Sequence, residues 1–325
     1  ARGRALGALE RFGQRIRHIP QARVRAVGTN TLRRARKAEM FLEDAQQALG
    51  HGIEIISGRE EARLIYLGVA HSQPDDLEPR LVVDIGGGST ELILGERFEA
   101  FEMHSLHMGC ITFTKKFFPG GKIRRKGMEE AVLSARAELQ TIERRFRDYG
   151  WGRAVGASGT VRAAAEVLRA NGWSTGGVTP DGLRKLSKAM RAAGQVDRLS
   201  IAGLKPERAK VFPGGVAILI ALFDALGILR MEGASGALRE GLMYDLLGRI
   251  RHEDVRERTI RMLQDRYHVD RRQAARVERN ALAFLKQAAP GWGMDRVEAG
   301  RFLTWAARLH EIGLTVAYHH HHRHG

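Results

Sequence analysis

Asp84-Ile-Gly-Gly-Gly-Ser-Thr-Glu91 sets three consecutive glycines and two hydroxyls between two acids. That composition suits an anion held beside a cation. Consecutive glycines permit positive φ and let backbone N–H groups turn inward on a phosphate. Gly86, Gly87 and Gly88 would supply the amides, and Ser89 and Thr90 would add hydroxyl donors. Asp84 closes an apolar run, where an unpaired carboxylate is costly unless a hard cation sits beside it. Mg²⁺ favours one or two carboxylates, retained waters and substrate phosphate oxygens, and Glu91 offers the second carboxylate. The plainer reading is a hairpin turn whose acid caps amides, but such turns rarely need three glycines between two acids.

Gly156-Ala-Ser-Gly-Thr160 is a second candidate cradle. It joins a strand to a helix N-terminus, where free N–H groups and the helix dipole favour phosphate. Gly156, Ser158, Gly159 and Thr160 would line it, although Ser and Thr are also ordinary helix caps. Two phosphate-holding turns from two halves of the chain predict a cleft between them. Gly58-Arg-Glu-Glu-Ala-Arg63 follows a strand and opens a helix. Acids in a first turn complement the helix dipole. The functional alternative is that Glu60 or Glu61 projects into the cleft as a general base for water. Arg33 could clamp a phosphate oxygen, yet it lies among Arg34, Arg36 and Lys37 and alone reads as a surface arginine. Gly233–Gly241 is a further glycine-punctuated turn into a helix.

These residues need an α/β frame. Val24–Val27 and Ile53–Ile56 read as strands, with a helix carrying Leu32, Phe41 and Leu49 between them and another over Glu60–Leu67. That order implies parallel pairing. Leu81–Ile85 and Glu91–Leu94 flank the glycines as a hairpin, with Phe98–Met103 as a third strand. Met128–Phe146 reads as one long amphipathic helix, and Val216–Leu229 as a buried one too short for a bilayer. Beyond Arg249 only helical periodicity continues. The expected domains are 1–70, 71–248 and 249–325.

The 325 residues carry 53 Lys and Arg against 37 Asp and Glu, a formal charge of +16 that would draw polyanions. The 43% hydrophobic content excludes a disordered tail protein. A single cysteine, Cys110, excludes an internal disulfide framework and fits a reducing cytosol. No window has the apolar length of a membrane span. The chain does not begin with methionine, and its first residues have no apolar signal core.

Ile53–Tyr66 followed by Asp84–Glu91 resembles the exopolyphosphatase/guanosine pentaphosphate phosphohydrolase (Ppx/GppA) family. Gly28-Thr-Asn-Thr-Leu-Arg33, Met108-Gly-Cys110, Gly156–Thr160 and Gly236-Ala-Leu-Arg-Glu-Gly241 fit it in the same order. His310-Glu-Ile-Gly313 and His322-Arg-His324 look more like the exopolyphosphatase branch, which makes the histidine run native sequence rather than a tag. The resemblance implies an actin-like (ribonuclease H-like) domain pair followed by a helical HD-like domain. It implies Mg²⁺ dependence, K⁺ as activator, a homodimer, and a cytoplasmic setting that extends to the membrane periphery. By motif position Glu61 is the base, Asp84 and Glu91 the metal side, and Arg33 a phosphate clamp. Glu311 stands where an HD-type metal hydrolase carries aspartate, so no HD-type hydrolysis is expected there. Family members begin with an Asp-Leu-Gly-Ser-Asn-Ser loop that is not found here, and the chain is expected to be truncated at both ends. The expected activity is release of terminal phosphate from inorganic polyphosphate. The rivals are a pppGpp 5′-phosphatase, an actin-like kinase and a non-catalytic polyanion binder.

Overall fold

The computed structural model describes residues 2–33, 38–73, 78–250, 255–294 and 296–315. The chain forms two compact units, Ala1–Leu246 and Leu247–Gly325. The elements up to Ile250 begin with α1 (Arg2–Ile16), β1 (Ala26–Gly28), α2 (Asn30–Arg33), α3 (Ala38–Leu49), β2 (Ile53–Ile55) and α4 (Gly58–Ser72). The hairpin β3 (Arg80–Ile85) and β4 (Thr90–Glu96) follows, then β5 (Glu99–Leu106), α5 (Cys110–Phe117), α6 (Arg125–Leu139) and α7 (Glu143–Tyr149). Next come β6 (Arg153–Gly156), α8 (Gly159–Ala170), α9 (Pro180–Ala193), α10 (Pro206–Ala209), α11 (Phe212–Leu226), β7 (Met231–Gly233) and α12 (Leu238–Ile250).

β1 and β2 pair in parallel as a two-stranded sheet. The larger sheet runs β5-β4-β3-β6-β7, with β4 antiparallel to both its neighbours and β3, β6 and β7 parallel. Both of its faces are covered, so its central strands are apolar at successive positions. Leu81, Val83 and Ile85 of β3 and Leu92 and Leu94 of β4 face the core built on α5, α6, α8, α9 and α11. Val82 and Ile93 face the other way, onto Ala62, Ile65, Tyr66 and Val69 of α4. Alternation therefore puts Asp84 and Glu91, which are register partners, on the α4 side.

Thirteen of the fifteen residues of α11 are buried, so this helix needs no polar face. It begins at Phe212 with a proline in its first turn and ends on the left-handed Gly227. Leu229, expected within it, lies beyond that cap and is exposed. The single helix expected over Met128–Phe146 is two. Ile142 leaves helical geometry at φ −124° and ψ −17°. The Thr141 hydroxyl takes up the Glu138 carbonyl, and Leu139, Ile142 and Phe146 all reach the core.

The second unit holds α13 (Val255–Arg266), α14 (Arg271–Trp292) and α15 (Arg296–Leu309). Asp270 caps α14 by accepting from the Arg272 and Gln273 amides. Arg308 Nε donates to Glu278 at 2.9 Å and ties α15 to α14. No helix among the described residues is long and apolar enough to cross a membrane.

Candidate active site

The glycine hairpin is shaped by close approach, not by left-handed backbone. None of Gly86, Gly87 and Gly88 has positive φ, contrary to the sequence expectation. A Cβ at Gly87 would lie 2.9 Å from Ile111 Cδ1, and one at Gly88 would lie 2.7 Å from Asn30 Oδ1. A Cβ at Gly109 would collide with the Gly87–Gly88 backbone. The amides of Cys110, Ile111 and Thr112, at the start of α5, donate to the Gly86 and Gly87 carbonyls. The loop's carbonyls thus point at α5, and Gly86 N donates to Ser89 O at 2.9 Å. The amides of Gly87, Gly88 and Ser89 have no acceptor among the described residues, which is the state in which an anion is welcome.

Asp84 and Glu91 stand side by side on this hairpin. Ser105, the β5 register partner of Glu91, donates its hydroxyl to Glu91 Oε1 at 2.8 Å, and Ser89 also hydrogen-bonds that carboxylate. Burial, then the Glu61 charge, pushes the Glu91 carboxyl up to about 8 against those bonds. Burial and Glu61 push Asp84 up to about 6, and the Arg162 guanidinium opposes the rise. Burial and the nearby Glu61 charge thus disfavour the ionised form of both acids, a penalty that a cation beside them would offset. No group of three or more His, Cys, Asp or Glu suited to a metal occurs among the described residues. One buried and one half-buried acid beside free amides fit Mg²⁺ with waters and phosphate oxygens, rather than an all-protein cage.

Glu61 enters from α4, whose N-terminus Ser57 caps through the Glu60 amide. It is 7% exposed, and burial raises its carboxyl above the ordinary value while Arg33 and Thr29 hydrogen-bond it and lower it. Arg33 Nη1 donates to Glu61 Oε2 at 3.0 Å and to the Ile56 carbonyl at 2.7 Å. Glu60 faces elsewhere: both its oxygens accept from Arg63 at 2.8 Å. Of the two acids that open α4, Glu61 is the one whose charge acts on Asp84 and Glu91.

The second turn sits beside the first, not across a cleft from it. β6 lies parallel to β3, and Ala157 N donates to Val83 O at 2.9 Å. Ser158 caps α8 by accepting from Val161 N at 3.2 Å. Asn30 lies against Gly88 of the hairpin, and beside it Thr29 and Arg33 hold Glu61. Thr90 and Thr160 do not offer their hydroxyls as expected. Thr90 is fully buried and donates to the Met108 carbonyl at 2.6 Å, and Thr160 pairs with the buried Cys110 thiol. A Cβ at Gly156 would run into Val161, so its role is packing.

Three residues were not anticipated. Ser105 becomes visible only once the β4–β5 register is known. Arg162 acts on Asp84 from α8, and the Arg208 guanidinium lies against Gly159 at the start of that helix. Arginines are plentiful in the chain, and nothing local distinguishes these two. His310 Nδ1 pairs with the Ala307 carbonyl at 2.7 Å, and residues 319–324 lie outside the described residues.

Residues 1–250 match the family model described as the Ppx/GppA phosphatase family, and residues 255–325 match Ppx/GppA phosphatase, domain III. The chain belongs to the Ppx/GppA phosphatase family. Its Ppx/GppA relatives include proteins of Aeromonas hydrophila (44% identical) and Vibrio vulnificus (43%), each named guanosine-5′-triphosphate,3′-diphosphate pyrophosphatase. Each alignment covers 97% of this chain and 63% of the relative, so the chain spans under two thirds of their length. The Ppx/GppA enzyme of Aquifex aeolicus superposes with a TM-score of 0.60 at 26% identity, over 74% of this chain and 81% of that one. An exopolyphosphatase of Cytophaga hutchinsonii shares the fold, with a TM-score of 0.66 at 22% identity over 76% and 81% of the two chains. The first unit is thus an actin-like α/β fold, followed by an all-α domain.

Proposed function

We propose that this chain is a Mg²⁺-dependent phosphoanhydride hydrolase acting on the 5′-terminal phosphate of pppGpp. The supporting observation is the convergence of Glu61 with Asp84 and Glu91 beside the free amides of the glycine hairpin. Water attacks the terminal phosphorus, the anhydride bond breaks, and ppGpp and orthophosphate leave. Glu61 orients that water and takes its proton, which a buried carboxylate of raised pKa does well. The amides of Gly87, Gly88 and Ser89 hold the phosphate oxygens without reorganising during the reaction. Arg33, moving off Glu61, contributes a guanidinium to the transferring group. Asp84 and Glu91 would hold Mg²⁺, which neutralises charge on the phosphate oxygens.

The guanosine nucleotide is preferred over polyphosphate because the relatives at 43–44% identity bear that name. Of the tail that resembles the exopolyphosphatase branch, residues 310–313 are described and residues 322–324 lie outside the described residues. Polyphosphate remains the second reading, favoured by the +16 charge. Phosphate release from pppGpp and from long-chain polyphosphate, with and without Mg²⁺, separates the two. Glu61→Gln should lose roughly 10²- to 10⁴-fold in kcat. Full turnover by that variant would remove the base assignment.

A further inference from the structure

Arg33 and Glu61 arrive from different elements, yet both elements are tied to one acid outside the site. Asp245 of α12 is 5% exposed. Its Oδ2 accepts from Arg25 Nη1, and its Oδ1 accepts from Arg63 Nη2 at 2.7 Å. Arg25 immediately precedes β1, the strand that leads into Thr29, Asn30 and Arg33. Arg63 lies two residues past Glu61 on α4 and holds both oxygens of Glu60. Arg25 also reaches Glu54 at 3.3 Å and Glu60 at 3.7 Å.

The helix that carries Asp245 cannot slide along α4. The two backbones touch where they cross: a Cβ at Gly68 would collide with the Ala237 carbonyl, and one at Gly241 with the Leu64 carbonyl. Beyond the crossing, the His71 and Tyr244 rings stack at 3.8 Å. Before it, Asp245 meets Arg63 one turn from the first turn of α4. The crossing fixes α12, and Asp245 transfers that fixity to both sides of the Arg33–Glu61 pair.

We propose that Asp245 is a positioning residue for catalysis: a single buried carboxylate holds the strand that delivers Arg33 and the helix that delivers Glu61. The inference rests on Glu61 as the base. An ordinary buried ion pair would contribute only to folding, and then often little. A positioning role instead makes catalysis depend on Asp245 through Glu61.

The test is steady-state phosphate release from pppGpp by the 325-residue chain carrying Asp245→Asn or Arg63→Gln, each with Glu61 intact and in the Glu61→Gln background. Thermal unfolding is recorded alongside. With Glu61 intact, Asp245→Asn should lower kcat roughly 10- to 100-fold, the scale of a ~1 Å misplacement, and leave KM within about twofold. In the Glu61→Gln background the same change should cost at least several-fold less, because one of the two groups it positions is gone and only Arg33 is left to misplace. Arg63→Gln should repeat the pattern, and it decides the matter if Asp245→Asn does not fold. Equal losses in both backgrounds, an unchanged kcat, or a loss confined to KM would overturn the proposal. A fully active Glu61→Gln chain would overturn the base assignment itself. An inactive Glu61→Gln chain beside an unimpaired Asp245→Asn chain would overturn only the role of Asp245.

Discussion

Arg33 Nη1 bridges Glu61 Oε2 at 3.0 Å and the Ile56 carbonyl at 2.7 Å, so the cation nearest the candidate base is fixed to the end of the neighbouring strand. Its hydrogen bond and its charge both lower a Glu61 carboxyl that burial raises. Arg33→Gln removes the lowering influence and leaves the burial, so the Glu61 pKa rises further. The acid limb of kcat/KM for phosphate release should therefore move to higher pH. A limb that stays in place, or moves down, would show that Arg33 does not govern the base.

Glu91 titrates near 8 in the folded chain, against 4.5 for an ordinary glutamate. A carboxyl raised on folding binds its proton more tightly in the native state. Its stabilising contribution is complete below pH ~4.5 and is lost as pH climbs through about 8. Without divalent metal, the Tm of Glu91→Gln should exceed that of the native chain at pH 8, with the gap closing towards pH 5. The reverse trend would contradict the burial of an unpaired acid at this position.

Mg²⁺ should offset the same penalty. Millimolar MgCl₂ is expected to raise the Tm at pH 8, where both acids ionise readily, and to raise it less at pH 6. Asp84→Asn and Glu91→Gln should each abolish most of the shift. Undiminished shifts in both variants would move the metal elsewhere.

Two glycine-to-alanine changes should have opposite signs. Gly68→Ala places a methyl on the Ala237 carbonyl, a backbone atom that cannot rotate away, and should cost about 2–3 kcal/mol by chemical denaturation. Gly7→Ala, inside α1, meets only the end of the Arg11 side chain at 3.8 Å and should stabilise by about 0.5–1 kcal/mol through helix propensity. A neutral Gly68→Ala would mean that α4 and α12 are not in backbone contact.

Local features were legible in the sequence. The hairpin around the glycines, the strand after Arg153 and the buried α11 follow from patterns within about fifteen residues. Asp84 and Glu91 could be named as candidates because they flank the glycine turn, whereas spacing left Glu60 and Glu61 open and only the family resemblance singled out Glu61. Features set by distant pairing were not legible. The parallel contact of β3 with β6 puts the two turns side by side, and no local signal announces it. Thr90 begins a strand, and its parity turns its hydroxyl into the core. The glycines are small because Asn30 and Ile111 press on them, and those neighbours are known only from the fold. Ile142 leaves helical geometry while still packing into the core with Leu139 and Phe146, although nothing in its own neighbourhood breaks the period.

Asp84 and Glu91 face one another across a single antiparallel rung. Their spacing is thus a property of the sheet, with Cα atoms ~4.5–5.5 Å apart as in any such pair. Glu61 is held in another way, by the packing of α4 on the same sheet and by its hydrogen bond from Arg33. A rearrangement of the Arg33 side chain would leave the two acids at constant separation and change only the surroundings of the third. On the proposed function, capture of the ion would then fall to one rung of the sheet and activation of the solvent molecule to the helix packed upon it.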